Sequence, residues 1–265
     1  MQMSGNTILV TGGGTGIGRG LAEAFHRLGN HMIISGRRAE PLAEVAKTTP
    51  GIDYLRLDQS DPADIQRFSA ELLQAHPGLN VVINNAGIQL VEHVIAGDLA
   101  VAEQTIATNL LGVIRLTAHL LPALAATSRA TILNVTSALA FMPSALVPTY
   151  CATKAALHSY TQSLRYQLSD TPVEVIELIP PKVQTGLQGD HGYDPDAMLL
   201  TQYISETMEL LRQRPHRAEI VVTRAQGLRY AERRGVYDDV YPSFNAAATA
   251  LLDSPTPGAD PTRKA

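Results

Sequence analysis

The twelve residues TILVTGGGTGIG, at positions 7–18, decide the fold class of this chain. Ile8, Leu9 and Val10 form a short apolar run that is typical of a strand buried on both faces. A glycine-rich turn follows, and then an amphipathic helix that stops at Gly29. This order predicts the first unit of a dinucleotide-binding domain, because glycines let backbone N–H groups approach a pyrophosphate at the helix N-terminus.

The predicted phosphate-binding turn has the spacing Gly12-x-x-x-Gly16-x-Gly18, which differs from the commonest Gly-x-Gly-x-x-Gly fingerprint. A strand before the turn and a helix after it support the binding interpretation. The turn residues that we expect to contact the cofactor are Gly12, Gly14, Thr15, Gly16, Ile17 and Gly18.

The end of the second predicted strand, at 31–35, indicates which cofactor is used. NAD enzymes place an Asp or Glu for the ribose hydroxyls about 20 residues after the glycine turn, but here Gly36, Arg37 and Arg38 follow the strand. A guanidinium donates to phosphate through a planar fork, so Arg37, with Arg38 as the weaker contact, favours NADP(H). The alternative is a solvated basic turn.

Polar residues also follow the third and fourth predicted strands. Asp58 follows strand 52–57, where it would accept from the adenine amino group or cap the helix that starts near Pro62. Asn84-Asn85-Ala86-Gly87 follows strand 81–83. Amides and small residues at a strand's carboxyl end are typical of a ligand crevice, and also of an ordinary turn.

Tyr150 and Lys154 lie four residues apart on one face of a predicted helix. An ammonium near a phenol lowers the phenol's pKa from about 10, which lets the tyrosine exchange a proton with an alcohol or carbonyl oxygen. Ser137, after the fifth strand, would hold that oxygen. Asn109, inside a long helix predicted to begin at Asp98, is either a satisfied buried amide or part of the site, because Asn is a poor helix former.

The composition fits one large α/β domain: 265 residues, of which 45% are hydrophobic and 17% charged. A net charge of −4 and a pI near 6.1 predict no nucleic-acid or anionic-membrane partner. One cysteine excludes an intrachain disulfide and fits a reducing cytoplasm, and no basic leader precedes the first strand. Arg115 and His119 interrupt the apolar run 110–124, which we expect not to span a bilayer. The eight histidines lack metal-ligand spacing, so we expect no metal.

The alternation of seven predicted strands with helices fits one large α/β domain. We expect a single domain over residues 1–252. A polar, glycine-containing segment and a helix over about 186–216 predict a mobile flap over the site. Residues 253–265, with three prolines, predict a disordered tail.

Together these motifs resemble those of the short-chain dehydrogenase/reductase family over nearly the whole chain. The interval of thirteen from Ser137 to Tyr150 also matches. The run from Cys151 to Tyr160 looks like a bacterial branch loosely named after teichoic-acid D-alanylation operons, whose substrates are sparsely assigned. The shared motifs are Thr11-Gly12-x-x-x-Gly16-Ile17-Gly18, Asn84-Asn85-Ala86-Gly87, Asn109, Ser137 and Tyr150-x-x-x-Lys154, in the family's order.

The resemblance implies a single α/β, doubly wound (Rossmann) domain with a seven-stranded parallel sheet and helices on both faces, and it implies a nicotinamide cofactor. It implies that Tyr150 is the general acid/base and that Ser137 orients the substrate oxygen. Lys154 would hold the nicotinamide ribose and lower the pKa of Tyr150, and Asn109 would support a water-linked proton relay.

The resemblance also extends to the rest of the cofactor and to assembly. It implies that Asn85, Ala86 and Gly87 lie against the adenine ribose, and that Val183 and Thr185 lie near the carboxamide and phosphates. Pro181 stands where the family usually has glycine, so the path beside the nicotinamide is expected to differ. A homodimer or homotetramer is implied through the helices at about 98–121 and 150–169.

The sequence therefore predicts an NADP(H)-dependent oxidoreductase that interconverts a ketone or aldehyde and an alcohol. The alternatives are a cofactor-sensing protein without turnover and a nucleotide-sugar epimerase or dehydratase. Retention of the proton-transfer residues argues against a sensor, and the modest length argues against a large substrate domain. A small apolar substrate is favoured by the expected pocket walls, Gln89, Leu139, Ser144, Leu146 and parts of 187–208.

Overall fold

The computed structural model describes residues 1–97, 99–187, 194–213 and 218–252. Its centre is a sheet of seven strands, which pair in parallel throughout. The strands are β1 (Thr7–Thr11), β2 (His31–Gly36), β3 (Ile52–Arg56), β4 (Leu79–Asn84), β5 (Ala130–Val135), β6 (Val173–Ile179) and β7 (Glu219–Val221). The strand order is β3-β2-β1-β4-β5-β6-β7, which confirms the predicted doubly wound fold.

Helices cover both faces of the sheet, and each face has its own hydrophobic core. Alternate residues of a strand point to opposite faces, so Val10 lies in one core and Leu9 in the other. Phe25 joins the first core and Phe68 the second. The helices are α1 (Gly16–His26), α2 (Ala39–Thr48), α3 (Pro62–Ala75), α4 (Ala100–Ile106), α5 (Gly112–Ala125), α6 (Pro148–Gln167), α7 (Leu200–Gln213), α8 (Gln226–Arg229) and α9 (Tyr237–Leu252).

The strand order reverses between β1 and β4, because β1 pairs with β2 on one side and with β4 on the other. The connections leaving these strands diverge to opposite sides of the sheet and open a crevice at its carboxyl edge. The predicted glycine turn follows β1 and the Asn84–Gly87 stretch follows β4, so both lie at this crevice.

The long helix predicted from Asp98 is divided into α4 and α5 by one π-helical segment, Ala107–Leu111. Asp98 itself lies outside the described residues. By length and composition, the stretch Ala100–Ala125 is apolar enough to cross a membrane. The argument that Arg115 and His119 make this region too polar to span a bilayer therefore does not hold. Its inner side, including Leu116 and Leu120, is buried in the second core, and core helices of globular proteins pass the same test.

The C-terminal third departs most from the sequence expectations. Helices α8 and α9 were not predicted. Tyr203, Ile204 and Met208 of α7 are buried in the first core, so the helical part of the predicted flap is anchored to the body of the domain. Residues 188–193 and 214–217 of that flap, and the predicted tail at 253–265, lie outside the described residues.

Candidate active site

The glycine-rich turn follows β1 at the point where the strand order reverses. Gly12 and Gly16 have φ values of +66° and +55°, which side chains disfavour. A Cβ at Gly12 would lie 2.9 Å from the Cα of Ala86, and one at Gly18 would lie 2.3 Å from the carbonyl oxygen of Gly12. Glycine is therefore required for the close approach of the turn to α1 and to the residues after β4.

The N-terminus of α1 offers backbone donors to an anion. Thr15 is its N-cap residue, with extended backbone and no side-chain capping bond, and the first turn has no acidic residue. The first N–H groups of a helix lack partners within the helix and lie at the positive end of its dipole. Thr185 side-chain carbons lie 3.3 Å from the place a Cβ of Gly16 would occupy. This cradle fits a pyrophosphate.

Two predicted turn residues face the protein interior. A Cβ at Gly14 would lie 3.0 Å from Pro41 of α2, and Ile17 packs against the first core. Both shape the turn, and any contact of Gly14 with a cofactor is made by its backbone.

Thr11 fixes the segment after β4 against the glycine turn. Its Oγ1 accepts from the backbone N–H groups of Asn85 and Ala86, each at 3.0 Å. The Asn85 amide donates to the Thr11 carbonyl oxygen at 2.9 Å. The structure therefore brings Asn85 and Ala86 to the crevice, whereas Thr11 was noted only as part of the motif.

Arg37 and Arg38 lie just past the carboxyl end of β2, and both are exposed. The Gly13 N–H donates to the carbonyl oxygen of Ser35 at 3.1 Å, which joins the glycine turn to this strand end. Within the described chain, neither guanidinium forms an ion pair. Both arginines therefore lie on the same edge of the sheet as the phosphate cradle, accessible to a ligand.

One interpretation predicted that Asp58 caps the next helix, and the structure shows that it does not. Asp61 is the N-cap of α3 and accepts from the Ala63 N–H at 2.9 Å. The Oδ1 of Asp58 instead accepts from the backbone N–H and the hydroxyl of Ser60, at 3.0 and 2.6 Å. This local turn holds the Asp58 carboxylate near the end of β3, where the adenine interpretation still applies.

Ser137 and Tyr150 meet beyond the end of β5. Ser137 begins a short 3₁₀ turn, where its Oγ accepts from the Leu139 N–H at 3.1 Å. Tyr150 lies in the first turn of α6 and is only 5% exposed. The Ser137 side chain is close enough to the Tyr150 hydroxyl to lower its pKa. The predicted pair is thus assembled from residues thirteen positions apart.

Lys154 is 4% exposed and donates through Nζ to the Val135 carbonyl oxygen at 2.8 Å. Its Nζ lies 5.6 Å from the centroid of the Tyr150 ring. The ammonium is therefore held over the ring by the end of β5, close to the tyrosine as the spacing predicted.

The expected lowering of the Tyr150 pKa is wrong for the chain without cofactor. Burial raises the pKa of Tyr150 to about 12, and the neighbouring Ser137 side chain only partly opposes this. Burial also lowers the pKa of Lys154 to about 8, against the attraction of Glu177. A low-dielectric site disfavours both charged forms, and here this effect exceeds the mutual influence of the two side chains.

Glu177 is a residue that the sequence analysis missed. It is fully buried in β6 and accepts from the Thr136 hydroxyl at 2.7 Å. His158 Nδ1 lies 2.8 Å from its other oxygen. Its carboxylate favours the charged form of Lys154. The signal was present in the sequence, because a glutamate interrupts the apolar strand VEVIELI.

Asn109 is a satisfied buried amide within the π-helical segment. Its Nδ2 donates to the Ile88 carbonyl oxygen at 2.8 Å, and its Oδ1 accepts from the Ile88 N–H at 2.9 Å. A Cβ at Gly87 would lie 3.2 Å from Asn109 Oδ1 and 3.8 Å from Lys154 Nζ. Asn109 thus fixes the Gly87 turn beside Lys154, a role that combines the two predicted alternatives.

The segment after β6 passes the cradle despite Pro181. The carbonyl oxygen of Pro180 accepts from the Ala138 N–H at 2.9 Å. Val183 then forms a parallel bridge with Met198, and the Gln184 N–H donates to the Met198 carbonyl oxygen at 2.9 Å. Backbone contacts therefore join the residues just before α7 to the segment that carries Val183 and Thr185.

The predicted pocket walls are partly apolar and are held by distant residues. Leu139 and Leu146 pack against Val147, Tyr150 and Cys151. Asn245 of α9 donates to the carbonyl oxygen of Pro143 at 3.1 Å and accepts from the Ala145 N–H at 2.7 Å. The unpredicted C-terminal helix therefore clamps the loop between Ser137 and Tyr150.

A phosphate cradle and a buried tyrosine–lysine pair at one edge of a parallel sheet are the arrangement of a nicotinamide-dependent oxidoreductase. The sequence model of the short chain dehydrogenase family matches residues 6–195. The chain belongs to this family, which confirms the resemblance.

Individual relatives agree on the family and differ in cofactor. The uncharacterized oxidoreductase DltE of Bacillus subtilis is 39% identical over 251 residues, covering 92% of this chain and 98% of that protein. The NADP-dependent 3-hydroxy acid dehydrogenase of Schizosaccharomyces pombe is 32% identical over 191 residues, covering 69% and 74%. A short chain dehydrogenase/reductase from Burkholderia phymatum, solved in complex with NAD, superposes with a TM-score of 0.75 at 20% identity, covering 97% and 98%.

Proposed function

We propose that this protein is an NADP(H)-dependent oxidoreductase that interconverts a ketone or aldehyde and an alcohol. The observation that carries the proposal is the clustering of Ser137, Tyr150 and Lys154, all buried at the cofactor crevice, with the Lys154 ammonium 5.6 Å from the centroid of the Tyr150 ring. This set is suited to proton transfer at a substrate oxygen, which neither a cofactor sensor nor a purely structural domain requires.

Tyr150 is the proton donor in the direction of carbonyl reduction. Because burial raises its pKa to about 12, the phenol is protonated at neutral pH. When bound, the reduced nicotinamide supplies the hydride that the carbonyl carbon receives. Tyr150 gives its proton to the carbonyl oxygen, and the resulting phenolate is stabilised by the Ser137 hydroxyl and the nearby ammonium.

Lys154 links proton transfer to cofactor binding. With a pKa of about 8, it is mostly charged at neutral pH. One N–H donates to the Val135 carbonyl oxygen, and the other two would hold the nicotinamide ribose and join a water-linked proton relay. Asn109 supports this relay as a positioning residue, because it holds the turn that lies against Nζ.

Arg37 supports the choice of NADP(H) over NAD. Arg37 and Arg38 directly follow β2, where a carboxylate would favour NAD, and the exposed Arg37 guanidinium lies on the edge that carries the phosphate cradle. The 2′-phosphate needs cationic donors, whereas the ribose hydroxyl of NAD needs a carboxylate acceptor. Arg38 contributes more weakly.

The substrate is proposed to be a small, largely apolar carbonyl compound or alcohol. Leu139 and Leu146 support this, because both pack beside Tyr150. The loop that carries Leu146 is held by Asn245, so the pocket wall does not depend on a substrate to form.

We also propose that two copies associate through α4–α5 and α6, in the cytoplasm. Ile106 of α4 and Leu111 of the π-helical segment are 40% and 38% exposed, and Tyr166 of α6 is 83% exposed. A second copy would cover these apolar side chains. Light scattering of the full chain at micromolar concentration tests this, and a monomer would exclude it.

The activity is tested with a panel of small ketones, aldehydes and alcohols, with NADPH or NADH consumption followed by absorbance. We expect turnover of at least one apolar ketone with NADPH. A nucleotide-sugar epimerase would show no net cofactor consumption. Tight NADPH binding without turnover of any panel member would favour a sensor.

A further inference from the structure

Three side chains with metal-ligating atoms meet at the edge of the sheet opposite the cofactor crevice. His31 is the first residue of β2, and Asp53 is the second residue of β3. Asp53 pairs in register with Ile33, and residues 31 and 33 share a face of the sheet. His76 is the C-cap of α3, which packs on that same face.

The spacing of the three side chains resembles that of ligands around one metal ion. His31 Nε2 lies 3.2 Å from Asp53 Oδ2 and 3.2 Å from His76 Nδ1. All three atoms lie within 4.8 Å of one another. Tetrahedral zinc with bonds of about 2.0–2.1 Å keeps its ligand atoms about 3.3 Å apart.

A hydrogen-bonded cluster explains this geometry less well. His31 Nε2 carries either one N–H or one lone pair, so it cannot form a good hydrogen bond to both partners at once, and both distances are at the long end of the hydrogen-bond range. A neutral imidazole with a lone pair at Nδ1 is the form that binds metal.

We propose that His31, Asp53 and His76 bind one divalent first-row transition-metal ion, with Zn²⁺ as the reference ion and water completing the coordination. Two imidazoles and one carboxylate suit Zn²⁺, Co²⁺ or Ni²⁺ and do not suit Mg²⁺, which prefers oxygen ligands. The sequence shows no such site, because the ligands lie 22 and 23 positions apart. The expectation of no metal was drawn from the sequence spacing of the histidines alone.

The ion would join β2, the edge strand β3 and the end of α3. These elements meet at the amino-terminal edge of the sheet, whereas Tyr150 lies at the carboxyl edge. The metal is therefore structural, and it acts on stability without entering the chemistry of the proposed oxidoreductase.

Calorimetric titration of the full-length, tag-free, EDTA-treated protein with Zn²⁺ tests the site. We expect one saturable site per chain with micromolar affinity, and a Tm rise of about 3–6 °C at a Zn²⁺ concentration tenfold above Kd. Mg²⁺ should give no rise. Co²⁺ should give the ligand-field absorption of a tetrahedral complex.

Three single variants locate the binding. His31→Ala, Asp53→Asn and His76→Ala should each weaken Zn²⁺ binding at least about tenfold, whereas the exposed His119→Ala should bind as wild type. Asp53→Asn covers the case in which a histidine variant fails to fold, because the Asp53 side chain is 52% exposed. Absence of saturable Zn²⁺ binding by the wild type, or undiminished binding by the three variants, would overturn the proposal.

Discussion

The two ends of the cofactor crevice contrast in burial. At the reaction end Tyr150 and Lys154 are 5% and 4% exposed, and the Lys154 ammonium is held by the Val135 carbonyl oxygen. At the adenosine end Arg37 and Arg38 are exposed, with no ion-pair partner among the described residues. Electrostatic effects are strong and poorly screened in a buried site, but weak and salt-dependent at the surface. We therefore expect the rate of the chemical step to depend on single buried atoms. The preference between NADPH and NADH should instead depend on an exposed charge that salt screens.

The largest effect is expected for Tyr150→Phe, which removes one oxygen from the buried end. We expect kcat to fall about 10²–10⁴-fold, because the proton donor is lost. NADPH affinity, measured by fluorescence titration, should change less than about threefold, since the fold and the cradle are kept. Tyr54→Phe, at an exposed position of β3, is the control and should retain activity. A Tyr150→Phe variant with more than about a tenth of wild-type kcat would refute the assignment.

The next effect concerns the cradle that joins the two ends. In Gly18→Ala the new Cβ would lie 2.3 Å from the Gly12 carbonyl oxygen, so the turn must shift. We expect cofactor affinity to fall about 10- to 100-fold, for NADPH and NADH alike. Gly227→Ala, where a Cβ meets nothing within 4 Å, should bind as wild type. Unchanged affinity of Gly18→Ala would show that the turn does not hold the cofactor.

At the exposed end, we expect the wild type to prefer NADPH over NADH by at least about tenfold in kcat/KM, because Arg37 pairs with the 2′-phosphate. Arg37→Ala should lose most of this preference with little change in NADH use. The preference should shrink as salt is raised, whereas the Tyr150→Phe defect should not.

Arg27→Ala is the matched control for this charge removal, since Arg27 is exposed at the opposite end of α1. It should keep the preference. Equal or better use of NADH by the wild type would contradict the role given to Arg37.

The smallest effect is expected for Glu177→Gln, a test of charge inside the buried end. The Glu177 carboxylate raises the pKa of Lys154, which burial lowers to about 8. Its removal lowers that pKa further, so Lys154 loses its proton at a lower pH. The alkaline limb of the kcat profile should shift to lower pH, with about two- to tenfold less activity at pH 8. Glu44→Gln, at an exposed site, should leave the profile unchanged, and an unshifted limb in Glu177→Gln would exclude this coupling.

The fold and most of the reaction end were predictable from local patterns. The apolar run 8–10 and the glycines after it gave the correct strand, turn and helix, because these elements depend on periodicity and on φ values that only glycine tolerates. The doubly wound, seven-stranded parallel sheet was confirmed as well. By contrast, α9 was not predicted, and its Asn245 contacts a loop about 100 residues earlier in the chain.

The direction of the Tyr150 pKa shift shows why local spacing was insufficient. The four-residue interval correctly brings Lys154 near the ring, but a pKa depends on everything that surrounds the group. Burial beneath residues from several elements outweighs the one neighbour that the spacing reveals.

By itself, the sequence determined the class of fold, the glycine turn after β1 and the spacing that brings Lys154 near the Tyr150 ring, since each is encoded within a few consecutive positions. Only the tertiary structure decided that Glu177 acts on Lys154, that Asp61 rather than Asp58 caps α3, and that His31, Asp53 and His76 meet. These contacts join residues from different strands and helices. Their distances are set by sheet register and helix packing, which no short stretch of sequence contains.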